Sequence, residues 1–343
     1  MDLQGLNVSS GFVDTHIHGL HGMDTLDGTS DSILGMSKSL IQYGVTSFCP
    51  TLYPQDDKIF LNSIRNVVNA MGHEEGAKIL GMHLEGPFIS RSQTGVQLPQ
   101  YMREVDLELM QKYWDASEGI ISIMTVAPEL KGMRSLALYC RKKGIVLSAG
   151  HSNASYDNMR EGMEAGIVHS THFFNAMRAL HHRDPGVVGA IMIHPEVSCE
   201  IIGDGVHVHP ALIKLLLSVK PKDKILLVTD SLRPTGQKEG DLYANNEKVY
   251  LKDGIFYRVS DDVIAGSSLT MNRGIKNLMD MGIDKSLAIQ MATKNPSLVL
   301  NKQNELGSLI PGKAADIAVF DDNLNIEYTI VNGNILYSSR SQS

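Results

Sequence analysis

Eight times between Phe12 and Thr229 the sequence sets down a short apolar run rich in β-branched residues, and helical spacing fills most of the gaps between them. The strand-like runs lie at Phe12–His18, Val45–Pro50, Ile79–Glu85, Ile120–Val126, Ile145–Ala149, Ile167–Thr171, Val197–Ile202 and Ile225–Thr229. Helical patterns lie at Ser32–Tyr43, Asp57–Met71, Leu107–Trp114, Arg134–Lys143, Tyr156–Glu164 and Pro210–Ser218. Strands joined by helical crossovers form a parallel sheet, and eight of them predict a closed (β/α)8 barrel of the TIM type, an α/β fold. An open doubly wound sheet is the competitor. The count of eight disfavours it, as does the lack of a GxGxxG turn after the first run.

The texture changes after the eighth run. Gly240–Gly266 alternates apolar and polar residues around Lys252-Asp253-Gly254, which predicts a β-hairpin excursion. Helical rhythm returns over Thr270–Leu300, and Leu306–Tyr337 is strand-like again, with turns at Pro311-Gly312 and Asn332-Gly333-Asn334. The 343 residues therefore divide into a barrel over 11–300, with the excursion at 240–266, and a small β-domain from 1–10 and 301–343.

Composition excludes several classes of function. Lys and Arg (31) against Asp and Glu (38) give a net charge of −7 with no basic block, so nucleic acid is not expected as a partner. No apolar stretch reaches the 18 or so residues of a membrane span, so no membrane partner is expected. The start, MDLQGLNVSS, lacks the basic residue and apolar run of a secretory signal. Cys49, Cys140 and Cys199 are too few and scattered for a disulfide framework or a cysteine zinc cluster, so a reduced, cytoplasmic setting is expected.

Barrel active sites gather at the C-terminal ends of the strands. His16 and His18 end the first run, Glu85 the third and His172 the sixth; His151 follows the fifth and Asp230 ends the eighth. At i and i+2, His16 and His18 project from one face. Imidazole and carboxylate donors favour a divalent transition metal, zinc or iron, over magnesium. Any one histidine, such as His83, His169 or His194, reads more simply as a core or surface residue, but four histidines with two carboxylates at strand ends read as a metal site. Asp230 has a plainer reading as a helix N-cap, ranked below catalysis because it faces the same ion. Arg183, in His181-His182-Arg183-Asp184-Pro185-Gly186, has the planar fork to clamp a phosphate, or is a solvated loop arginine. His181 and His182 read as loop residues.

The strings GFVDTHIHG, HLEGPF, AGHSNA, THFFNAM, HHRDPGVVGA, DGVHV, VTDS, AGSSLTM and GSLIPGKAADIAVF resemble the amidohydrolase superfamily in its amino-sugar phosphate deacetylase branch, from about Gly11 to the C-terminus. The resemblance implies metal-dependent hydrolysis of the acetamide of N-acetyl-D-glucosamine 6-phosphate, in amino-sugar use and cell-wall recycling. It makes Glu85, His151 and His172 ligands of a principal ion, and His16 and His18, with Glu85 bridging and Asp230 close by, a second site, so one or two ions. It places Asp230 as the proton carrier, Gln97 as the group polarising the carbonyl, and Val96 beside it in the acetamide pocket. Asn175, the Ala176 backbone and Arg183 fall at the phosphate, His207 at the sugar or acetyl group, and Ile264, Ala265 and Gly266 against the substrate. A homodimer is also implied.

Three rivals remain. The same chemistry on N-acetylgalactosamine 6-phosphate would leave no trace in these motifs. Cyclic amidases of the superfamily normally need a fourth-strand lysine, absent from Ile120–Val126. The third is a non-catalytic barrel holding metal or sugar phosphate. It is raised by the longer segment that the resemblance implies before the first strand, where this sequence has Met1–Ser10, and for the same reason the β-domain is expected to be reduced.

Overall fold

The computed structural model describes residues 3, 5–237, 242–244 and 247–342. Eight parallel strands, Phe12–Ile17, Val45–Leu52, Met82–Glu85, Ile121–Val126, Val146–Ala149, Ile167–Ser170, Ser198–Ile202 and Ile225–Val228, pair in sequence order. The ends of the eighth and first meet: Asp230 N donates to His16 O and His18 N to Ser231 O, each at 2.9 Å. The Thr229 hydroxyl donates to the Asp14 carboxylate at 2.6 Å, fastening the same seam. The fold is thus the expected (β/α)8 barrel with a small β-domain.

Helices begin where a short polar side chain takes up a free amide: Thr29, Asp56, Asp106 and Ser155 each accept from the first turn that follows. Two differences from expectation have local causes. The third run divides into Lys78–Ile79 and Met82–Glu85, because Gly81 has a φ of 132° and lies so near the neighbouring strand that a Cβ would stand 2.0 Å from Ser122 Oγ. A further helix, Gly186–Ile193, follows the sixth strand. Its residues Gly186–Ile191 are all buried, so the sequence GVVGAIMI carries no polar face from which to read a helical period.

Two small antiparallel sheets cap opposite ends of the barrel. The expected hairpin is four strands, Leu242–Ala244, Glu247–Lys252, Ile255–Arg258 and Ile264–Ser267. Residues 240, 241, 245 and 246 of the expected excursion lie outside the described residues. Asp253 and Gly254, with φ of 51° and 79°, make the two-residue turn that matches strand twist. Leu242, Val249, Phe256 and Ala265 pack with Leu232 and Val96. A bridge from Ser231 to Ser267 ties this sheet to the C-terminal ends of the barrel strands.

The other sheet runs Asn7–Ser10, Ile317–Phe320, Ile326–Val331, Asn334–Ser338. It lies at the start of the first two barrel strands. The rings of Phe320 and Phe12 are 6.0 Å apart, and Thr329 Oγ1 donates to Ile41 O at 2.5 Å.

Candidate metal centre

Glu85 closes the third strand, and its Oε1 lies 3.0 Å from His151 Nε2 and 2.9 Å from His172 Nε2. The two imidazole nitrogens are 3.1 Å apart. His151 donates from Nδ1 to Gln93 O at 2.9 Å, which turns the Nε2 lone pair toward the cluster. His151, His172 and Asp230 have φ of 44°, 27° and 48°. Left-handed backbone costs a non-glycine residue of order 1–3 kcal/mol, and here it turns three strand-end side chains toward one point.

The second group shares Glu85. His16 Nε2 and His18 Nε2 are 3.2 Å apart, and Asp230 Oδ1 lies 3.2 Å from His18 Nε2 and 3.5 Å from His16 Nε2. Glu85 Oε1 is 3.6 Å from His16 Nε2, and Glu85 Oε2 is 3.5 Å from His18 Nε2. His18 Nδ1 is bound to Thr51 O at 3.0 Å and His16 Nδ1 to Glu200 Oε2 at 2.9 Å. Nitrogen lone pairs crowded against each other and against carboxylates, in a buried setting, are the donor set of a divalent transition metal, and the residues present fit one.

Electrostatics reinforce the grouping. Burial opposes ionisation of Glu85, yet the charge of His151 and hydrogen bonds from His151 and His172 hold its carboxyl well below the usual range. Asp230 is likewise lowered against its burial, by the His16 charge and the His18 hydrogen bond. Burial would depress His18 and His172, but their carboxylate neighbours, Asp230 and Glu85 for the first and Glu85 foremost for the second, lift each to about 9. For His83, burial first and then the charge of His16 outweigh the pull of Glu200 and Glu85 and take it down to about 3.

Above the cluster opens a cleft of about 240 Å³, lined by His18, Glu85, His151, His172 and Asp230, and by Val96, Gln97, Asn175, Ala176, His207, Ile264, Ala265 and Gly266. Gln97 Nε2 donates to Glu85 Oε2 at 2.5 Å, while its Oε1 is buried and lacks a hydrogen-bond partner. Tyr53, Leu232, Glu247 and Arg258 also line the cleft, and Arg258 is the one Lys or Arg among the described lining residues. Of the site residues expected from the sequence, Arg183 alone is neither in the cluster nor on the cleft wall. It stands on the exposed turn closed by the His181–Asp184 bridge, its Nη1 2.9 Å from His182 Nε2.

Sequence reasoning missed Glu200 and Asp204. Asp204 Oδ2 lies 2.5 Å from His207 Nδ1, and Oδ1 accepts from the amides of Val206 and His207. The signal was the i, i+3 spacing in Asp204-Gly205-Val206-His207. For Glu200 it was a lone carboxylate inside the apolar run Cys199–Ile202. His83 and His169 fall beneath the cluster as buried core groups, His83 Nε2 against Thr125 Oγ1 at 2.7 Å and His169 Nδ1 against Ser198 Oγ at 2.7 Å.

Residues 7–336 match the Amidohydrolase family. N-acetylglucosamine-6-phosphate deacetylase of Bacillus subtilis (strain 168) is 34% identical over 335 residues, 96% of this chain and 84% of that protein. N-acetylgalactosamine-6-phosphate deacetylase of Escherichia coli O157:H7 is 29% identical over 326 residues, 94% of this chain and 86% of that one. The crystal structure of N-acetylglucosamine-6-phosphate deacetylase from Pasteurella multocida superposes with a TM-score of 0.92 at 30% identity, over 99% of this chain and 88% of that one.

Proposed function

The chain belongs to the amidohydrolase family, and on that premise we propose that it hydrolyses the acetamide of N-acetyl-D-glucosamine 6-phosphate to D-glucosamine 6-phosphate and acetate. The observation that carries this reading is the convergence of Glu85, His151 and His172 on the floor of the cleft, with Asp230 beside them. Glu85, His151 and His172 would hold a principal zinc or iron ion, and His16 and His18, with Glu85 and Asp230, a second. Such an ion supplies Lewis acidity and makes water a competent nucleophile near neutral pH.

The protein's own groups do the rest. Asp230, held ionised, takes a proton from the attacking water and returns it to the departing amine as the C–N bond breaks. Gln97, at the cleft wall beside Glu85, offers an amide donor to the acetyl oxygen. His207, fixed through Nδ1 by Asp204, presents its other nitrogen to the sugar or acetyl group. Val96, Ile264, Ala265 and Gly266 wall the substrate in, and Asn175 and the Ala176 backbone face its phosphate end. Arg258 gives the cleft a cation of its own for the phosphate. Arg183 serves that end from a neighbouring copy in a homodimer, since it does not reach the cleft of its own chain.

Residues 11–300 form the catalytic unit, and 1–10 with 301–343 the small β-domain. No helix among the described residues is long and apolar enough to cross a membrane, and a cytoplasmic setting in amino-sugar catabolism suits a phosphorylated substrate. The E. coli O157:H7 relative favours a second reading, the galacto epimer as substrate. Acetate release from both sugar phosphates, with zinc or iron added and then chelated, tests the proposal. No metal-dependent release from either would overturn it.

A further inference from the structure

Glu200 belongs to no ligand group of the reaction, yet it is fully buried in the middle of the seventh strand, directly under both donor groups. Its Oε2 receives Nδ1 of His16 at 2.9 Å and the backbone amide of His172 at 3.1 Å. Its Oε1 lies 3.2 Å from His169 Nε2, and His169 is in turn fixed by Ser198 Oγ. One carboxylate therefore ties the first strand to the sixth and holds a ligand candidate of each group.

We propose that Glu200 is a positioning residue for the second metal site, setting the tautomer and ring angle of His16. A neutral imidazole can bind an ion through Nε2 only if its proton sits on Nδ1, and a carboxylate at Nδ1 selects that tautomer and raises the basicity of Nε2. Through the His172 amide the same group links the second site to the geometry of the principal one. His16, His83 and Glu200 also bring donor atoms together, but this trio is not a third site. Both His83 nitrogens have partners, Thr15 O at 3.3 Å and Thr125 Oγ1 at 2.7 Å, which leaves Glu200 facing His16 as an orienting group.

This inference rests on the reading of the cluster as a metal centre, and metal uptake separates the failure of one from the failure of the other. Purified chain, stripped of metal, is titrated with zinc against a competing chelator, and cobalt uptake is followed by its visible absorption. The ion missing from a double His16→Ala, His18→Ala protein marks the second site. Glu200→Gln keeps the shape and weakens the acceptor, and should lower second-site affinity about tenfold; Glu200→Leu removes the acceptor and should lower it about a hundredfold, with the principal ion retained. Melting of the metal-free proteins checks folding, and if Glu200→Leu does not fold, Glu200→Gln decides. Wild-type affinity for both ions in Glu200→Gln, equal weakening at both sites, or a wild type that takes up one ion only, overturns the role of Glu200. A wild type that takes up none overturns the metal centre itself.

Discussion

Asp230 Oδ1 stands 3.2 Å from His18 Nε2, so the acid at the end of the eighth strand is held against a ligand candidate of the first strand and not against solvent. Asp230→Asn keeps volume and removes basicity, leaving Glu85, His151 and His172 in place. Turnover should fall by at least about a hundredfold with the principal ion still bound. Steady-state kinetics and elemental analysis of the same sample check this; near-normal turnover at unchanged metal content removes Asp230 from the proton transfer.

The shared carboxylate predicts unequal losses from the two donor groups. Glu85 touches both, so Glu85→Ala should strip the chain of metal and of activity together, as should His172→Ala. The double His16→Ala, His18→Ala change should lower stoichiometry by one ion and spare part of the rate. Elemental analysis after gel filtration decides; loss of both ions from the double variant would mean that the principal site does not stand alone.

The strand ends were legible because each combines an apolar run with an abrupt polar stop, and His16, Glu85, His151, His172 and Asp230 all fall at such stops. Glu200 and Asp204 were not, for opposite reasons. Glu200 sits inside its strand, in an apolar run buried on both faces, where no alternation tells which face its carboxylate takes. Asp204 lies in a turn whose purpose appears only once its two amide bonds and the His207 imidazole are seen together. The four-stranded sheet was read as a single hairpin because Asp253-Gly254 carries a strong turn signal, whereas the last two strands, Ile255–Arg258 and Ile264–Ser267, pair with a register shift between Phe256 and Tyr257 that breaks a simple alternation.

Phosphate recognition has two arginine candidates in different places. Arg258 lines the cleft, although its Nη2 and Nε are also bound to Asp261 at 2.6 and 3.1 Å. Arg183 is exposed on a turn outside it. Arg258→Lys and Arg183→Lys should each raise the KM for the phosphorylated sugar while scarcely changing the turnover of unphosphorylated N-acetylglucosamine. The Arg183 effect should vanish if the protein is monomeric at assay concentration, which analytical ultracentrifugation reads. Equal losses on both sugars would make either arginine a structural one.

His207 predicts a division between binding and chemistry. Burial works against ionisation of Asp204, but the His207 hydrogen bond and charge keep it below the usual carboxylate range, so the pair holds one imidazole orientation. Asp204→Asn should leave metal content unchanged and reduce kcat/KM, and His207→Asn in the same background should add less than it does alone. A full, additive loss would show that the two residues act separately.

Metal removal should reverse the pH dependence of stability expected of an ordinary chain. In the metal-free fold His18 and His172 are raised to about 9 from an unfolded value near 6.5. The folded chain therefore binds more protons than the unfolded one between those limits. Their contribution is fully present below about 6.5 and is lost as pH rises through 9. Asp14, pushed up to about 7 chiefly by burial, acts in the same sense at lower pH. The metal-free protein should thus melt at progressively lower temperature from pH 6.5 to 9. The loaded protein, whose imidazoles are already neutral and bound, should change little, so the stabilisation by metal should grow with pH. Calorimetry on both forms across this window is the measurement, and a metal-free Tm that holds steady or rises would mean that these imidazoles are neutral before any ion arrives.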